Sequence, residues 1–171
     1  MNTQPLIGNK ATKAAVIERL PQARFVHFAT HGIFDDIEGI NSLIALAPNT
    51  NTNKQSDKNN DGLLTAGEII DLKLNAELVV LSACDTGRGR ITGDGVIGLS
   101  RSLISAGVPS VLVSLWSVPD APTAKLMTEF YKNLQKNPDK AQALRQAMLT
   151  TMKSSPNPVD WAAFTLIGEA N

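Results

Sequence analysis

The sequence predicts an α/β sandwich built on a mainly parallel sheet, and three observations carry that prediction. Short, nearly continuous apolar runs lie at 25–29, 43–46, 78–83, 111–116 and 163–167, rich in Val, Leu, Ile and Phe. Strands covered on both faces have that composition, because neither face can alternate to polar. Amphipathic stretches at helical spacing lie between them, and strands alternating with helices imply helices laid on a parallel sheet. The chain has 171 residues, 43% of them apolar and 19% charged, which suffices for one domain with a real core.

Taken in order, residues 11–20 read as a helix that stops at Pro21, and residues 25–29 as the first strand. After the strand at 43–46 comes a segment without apolar residues, NTNTNKQSDKNN, at 49–60. It reads as a flexible polar loop. Thr65-x-x-Glu68 has the spacing of a capping box at a helix start. Beyond the strand at 78–83, Val96, Leu99, Leu103 and Ala106 form one helical stripe. The strand at 111–116 precedes a helix starting after Asp120, with Leu126, Phe130, Tyr131 and Leu134 on one face. Asp139 caps a further helix carrying Leu144, Met148 and Met152, which Ser154-Ser155-Pro156 stops. Residues 163–167 supply the last strand.

Charge and composition exclude several classes. The formal net charge is zero, so nothing electrostatic favours nucleic acid or an anionic membrane as partner. No apolar run approaches the ~20 residues of a membrane helix. The start, MNTQPLIGNK, lacks a signal-peptide apolar core. A single cysteine rules out an internal disulfide and multi-cysteine metal sites, and a cytoplasmic setting follows as the simple expectation.

That cysteine is the first candidate for chemistry. Two strands end alike: one breaks at His31-Gly32, the other at Cys84-Asp85-Thr86-Gly87. In an open parallel sheet the carboxyl ends of all strands share one edge, where ligands bind. If the two strands are parallel neighbours, His31 and Cys84 meet there. A free thiol has a pKa of ~8.5 and is mostly protonated at neutral pH. A nearby imidazole can take that proton or pair with the thiolate. His31 is thus the candidate general base and Cys84 the candidate nucleophile. His27 lies within its strand and reads as a structural histidine whose neutral ring bonds to a neighbour. A buried, inert cysteine remains the competing reading of Cys84.

Several words of the sequence have a familiar order: FVHFATHGIFDD, DGLLTAGEI, LVVLSACDTG, GDGVIGLSRSLISAGVPSVLVSLWSV and WAAFTLIG. They cover nearly the whole chain from about Gly8. In these the chain resembles the CHAT domain, a bacterial caspase-like domain often attached to tetratricopeptide repeats. The resemblance implies a caspase-like three-layer α/β/α sandwich with a mainly parallel sheet. It implies cysteine endopeptidase activity, with His31 and Cys84 as the catalytic dyad and no cofactor. It also implies an oxyanion site built from the backbone N–H groups of Gly32 and Cys84. Members usually have strand–helix units upstream of the segment at Gly8, so residues 1–171 are expected to form one domain that is incomplete at its N-terminus. The partners implied are a protein or peptide substrate and a tetratricopeptide-repeat regulator. A caspase-like signalling module without catalysis is the alternative.

Other motifs carry less. Gly93-Asp94-Gly95-Val96-Ile97-Gly98 spells G-x-G-x-x-G but does not directly follow a strand, as a dinucleotide site requires. Its glycines read as the end of a loop and the start of a helix. Residues 57–68 fit an EF-hand loop, with Asp57, Asn59, Asp61 and Glu68 as calcium ligands, yet no amphipathic helix enters it. A small calcium-binding structural domain is therefore the more distant alternative. Trp116 follows a strand on the candidate edge and is either core or a wall of the substrate cleft. Asp35, Asp36 and Asp85 flank the dyad, and Asp85 is a candidate for a substrate pocket accepting a basic side chain.

Overall fold

A computed structural model describes residues 5–33, 35, 38–49, 61–82 and 93–171, the side chains of 93–97 excepted. In chain order the strands are β1 (Phe25–Phe28), β2 (His31–Ile33), β3 (Leu43–Ala45), β4 (Leu63–Thr65), β5 (Leu78–Leu81), β6 (Ser110–Ser114) and β7 (Phe164–Gly168). The helices are α1 (Lys13–Arg19), α2 (Ala66–Ile70), α3 (Gly93–Ser105), α4 (Asp120–Lys136) and α5 (Lys140–Met152).

The main sheet has the order β1-β5-β6-β7. β1 and β6 both run parallel to β5, and β7 runs antiparallel to β6. Alternation along the strands divides the interior into two cores. Val79, Leu81, Val111 and Val113 pack with Val16, Ile69, Leu99 and Leu103 on one face. Leu78, Val80 and Leu112 pack with Leu126, Phe130, Leu134 and Ala147 on the other. Every residue of β5 is buried. The result is three layers, with α1–α3 on one face and α4–α5 on the other, as the alternation of strands and helices predicts.

Two strand assignments need correction in direction. Residues 43–46 were expected in the buried parallel set, but β3 lies in a separate antiparallel sheet of order β2-β3-β4. The strand at 163–167 joins the main sheet antiparallel. Apolar composition reports coverage of a strand, not its direction, so a covered antiparallel strand reads the same. β2 and β4 are three residues each, too short to display any period.

Local chemistry sets the helix starts. Thr12 Oγ1 accepts from Ala15 N, and Asp139 Oδ1 accepts from Gln142 N at 2.8 Å. The capping box at α2 is complete: Glu68 N donates to Thr65 Oγ1, while Thr65 N donates to Glu68 Oε2. α3 opens at Gly93, where the glycine-rich motif begins. One glycine inside α3 is required by a close approach. A Cβ on Gly98 would lie 2.6 Å from the carbonyl oxygen of Gly39. Gly39 sits in the short turn Gly39–Asn41 that follows β2. The helix downstream of Cys84 is thereby seated on the turn downstream of His31. Among the described residues no helix is long and apolar enough to cross a membrane.

Candidate functional site

β1 and β5 pair in register from Phe25↔Leu78 to Phe28↔Leu81. They therefore end at the same level on the same edge of the sheet. His31 lies three residues beyond Phe28, and Cys84 three residues beyond Leu81. His31 is exposed and opens β2, opposite Ala45. The chain crosses from one sheet to the other at Thr30, whose Oγ1 donates to Ala45 O at 2.6 Å. That bond ties the base of the His31 segment to a second element. Gly32 is buried and faces Ile44 across the ladder. Cys84 and Asp85 lie outside the described residues, as do Asp36, Asp57, Asn59 and most of the polar loop at 49–60.

A cavity of about 520 Å3 opens at this edge, between the ends of β1 and β5 and the flank of α4. His31 and Ser82 both line it, so the two strand ends converge on one space. Asp120, Thr128 and Tyr131 contribute from α4. His27 lies on its floor, and its ring is held at both nitrogens. Nε2 is 2.8 Å from Ser82 Oγ and Nδ1 is 3.0 Å from Tyr131 Oη. The His27 and Tyr131 rings also meet at 5.7 Å between centroids. The His27 ring keeps an open side, yet the protein packed around it desolvates the charged form and lowers its pKa. The same burial raises the pKa of Tyr131, so its hydroxyl stays protonated. His27 is thus a neutral, hydrogen-bonded strand histidine, as its position inside β1 suggests.

Other candidates are distributed differently. Asp35 Oδ1 accepts from Glu38 N and Oδ2 from Asn41 Nδ2, which folds the segment after β2 onto itself. Trp116 packs against the α4–α5 core, and its indole N–H donates to Val159 O at 3.2 Å. Of the EF-hand set, Asp61 and Glu68 are described, and a lysine stands beside them. Lys13 Nζ, on a side chain 1% exposed, donates to Glu68 Oε1 at 2.7 Å and lies 3.5 Å from Asp61 Oδ1. Burial alone would raise the pKa of Glu68, but the hydrogen bonds from Lys13 and Thr65 outweigh it and hold the carboxyl below its ordinary value. Both Glu68 oxygens thus already accept hydrogen bonds.

Sequence reasoning did not anticipate Ser82, Tyr131 or Asp120 as cavity residues. The available signal was His27 itself: a polar residue inside an apolar strand demands partners, and a neighbouring strand end and a facing helix must supply them.

The chain matches the CHAT domain family model over residues 1–169. It is similar to "Tetratricopeptide repeat protein 28" of Mus musculus and of Homo sapiens, 34% identical over 200 residues in each case. Those alignments cover 98% of this chain and 8% of each relative. The chain thus spans a small part of the length of the curated relatives it matches. Both are mammalian, so the resemblance extends beyond bacterial proteins.

Proposed function

The chain belongs to the CHAT domain family, and from that premise we propose that it is a cysteine endopeptidase acting through His31 and Cys84. The observation that carries this reading is the register of β1 and β5, which brings both strands to one edge three residues before each candidate. In the proposed reaction His31 takes the thiol proton and the Cys84 sulfur attacks the scissile carbonyl carbon. The backbone N–H groups of Gly32 and Cys84 hold the developing oxyanion. The His31 imidazolium then protonates the leaving amine, and a thioester remains on Cys84. Water, deprotonated by His31, attacks the thioester carbonyl and frees the acid and the thiol. No metal or cofactor takes part.

Substrate recognition is assigned to the cavity beside His31, with Asp85 as a candidate for holding a basic side chain. Asp120 adds a carboxylate to the same lining. The repeat proteins among the relatives support association with a tetratricopeptide-repeat segment. A partner segment can control a catalytic pair through a choice between disordered and ordered loops.

Peptide-library cleavage tests the reading on the chain joined to its native flanking sequence. Cleavage by the wild type and its loss in Cys84→Ala and in His31→Ala, both still folded, is expected. Cleavage that persists in either variant refutes the dyad. Folded protein that cuts nothing and binds its partner unchanged favours the non-catalytic signalling module.

A further inference from the structure

At the ends of β1 and β5 lies a set of hydrogen bonds that the proposed peptidase reaction does not use. Ser82 is the last described residue after β5, and Cys84 follows it by two positions. Ser82 N donates to Phe28 O at 3.1 Å, and Ser82 Oγ also donates to Phe28 O, at 3.4 Å. The closer partner of Ser82 Oγ is His27 Nε2, at 2.8 Å. On the other side of the ring Nδ1 is 3.0 Å from the Tyr131 hydroxyl, and the tautomer of His27 sets which partner donates at each contact. An unbroken run of hydrogen bonds thus passes from Tyr131 Oη through the His27 ring to Ser82 Oγ and on to the carbonyl that closes β1. It links α4, β1 and the outgoing end of β5.

We propose that Tyr131, His27 and Ser82 form a positioning relay that fixes the outgoing end of β5 and so sets the reactivity of the Cys84 thiol. This rests on reading Cys84 as the nucleophile and His31 as its base. The raised pKa of Tyr131 and the lowered pKa of His27 agree with this network, since they keep the hydroxyl protonated and the ring neutral, with one nitrogen to donate and one to accept. A purely structural role would let each group be replaced at a cost in stability alone. Under the relay, each replacement changes the chemistry of a thiol that none of the three residues is required to touch.

Alkylation by iodoacetamide reads this without a known substrate, because the chain has one cysteine. Rates are measured on folded protein, well below the unfolding midpoint. Ser82→Ala and Tyr131→Phe should each slow alkylation about fivefold, the factor equivalent to ~1 kcal/mol or one net hydrogen bond. Ser82→Thr keeps the hydroxyl and should retain the wild-type rate. Nitrogen-15 spectra should show a neutral His27 ring with one dominant tautomer in the wild type and a changed Nδ1 signal in Tyr131→Phe. Wild-type rates in both Ser82→Ala and Tyr131→Phe, or equal slowing in Ser82→Thr and Ser82→Ala, overturn the relay. His31→Ala separates the two claims. If it slows alkylation while the relay variants do not, the dyad stands and the relay falls. If it alkylates at the wild-type rate while the relay variants are slowed, the dyad reading falls and the relay's hold on Cys84 stands.

Discussion

Replacing Gly98 by alanine sets two opposing effects against each other. Gly98 lies within α3, where alanine is favoured over glycine by ~1 kcal/mol on helix propensity alone. The structure predicts the opposite sign. The new Cβ would stand 2.6 Å from Gly39 O and 2.9 Å from Gly39 C and Cα. All three are backbone atoms, so no side chain can rotate out of the way. Helix and turn must separate, and overpacking of this kind costs typically about 1–3 kcal/mol. With the backbone unable to yield, the upper part of that range applies, and the net loss is about 1–2 kcal/mol. For a chain of this size that corresponds to a midpoint lowered by roughly 2–8 °C. Gly67→Ala is the matched control, since its Cβ would meet the Ile40 side chain at 3.4 Å. Thermal and urea unfolding of both variants measure the difference. If Gly98→Ala is as stable as the wild type or more so, the seating of α3 on the Gly39 turn is wrong.

Removing the α5 cap by Asp139→Ala should cost about 0.5–2 kcal/mol in urea unfolding, and Asp139→Asn much less. Stability should also fall on acidification, in two stages. His27 has a folded pKa below its ordinary 6.5, so the unfolded state binds its proton first and stability is lost as pH falls below that value. Glu68, also depressed, adds a further loss below its ordinary 4.5. Urea midpoints across this range should lose the first stage in His27→Gln, while Glu68→Gln should shrink the second, to which the Arg24-paired Glu77 and the Lys132-paired Glu129 also contribute in the same direction. Calorimetry with millimolar calcium should show no binding heat, because Lys13 and Thr65 already occupy the Glu68 oxygens. A saturable heat abolished by Asp61→Asn would contradict that.

The sequence made the layers legible because burial on both faces leaves a mark in composition, as in Leu78-Val79-Val80-Leu81. Helix starts were legible for a similar reason: the Thr65–Glu68 box and Asp139 satisfy backbone donors that every helix must satisfy. Strand direction was not legible, since partner identity is a non-local property that β3 and β7 do not encode in their own residues. β2 was invisible because three residues contain no period, and His31 was accordingly placed at a strand break rather than at the start of a strand. Of the candidate site, the shared edge of β1 and β5 followed from the sequence. The floor of the cavity did not, because Tyr131 reaches His27 from 104 residues away. Tyr131 was assigned to the helical stripe by spacing, and spacing does not say which hydroxyl meets which ring.

The central claim is that His31 activates Cys84 for attack on a peptide carbonyl. A peptidyl acyloxymethyl ketone captures that event, because it alkylates an activated cysteine within a substrate cleft. Intact-mass and peptide mass spectrometry on the chain with its native flanking sequence would locate the adduct and give its rate. The account predicts one adduct, on Cys84, with labelling at least ~10-fold slower in His31→Ala, equivalent to ~1.4 kcal/mol of lost transition-state stabilisation. Labelling at equal rates in the wild type and His31→Ala, or no adduct on Cys84 in folded protein, would contradict it.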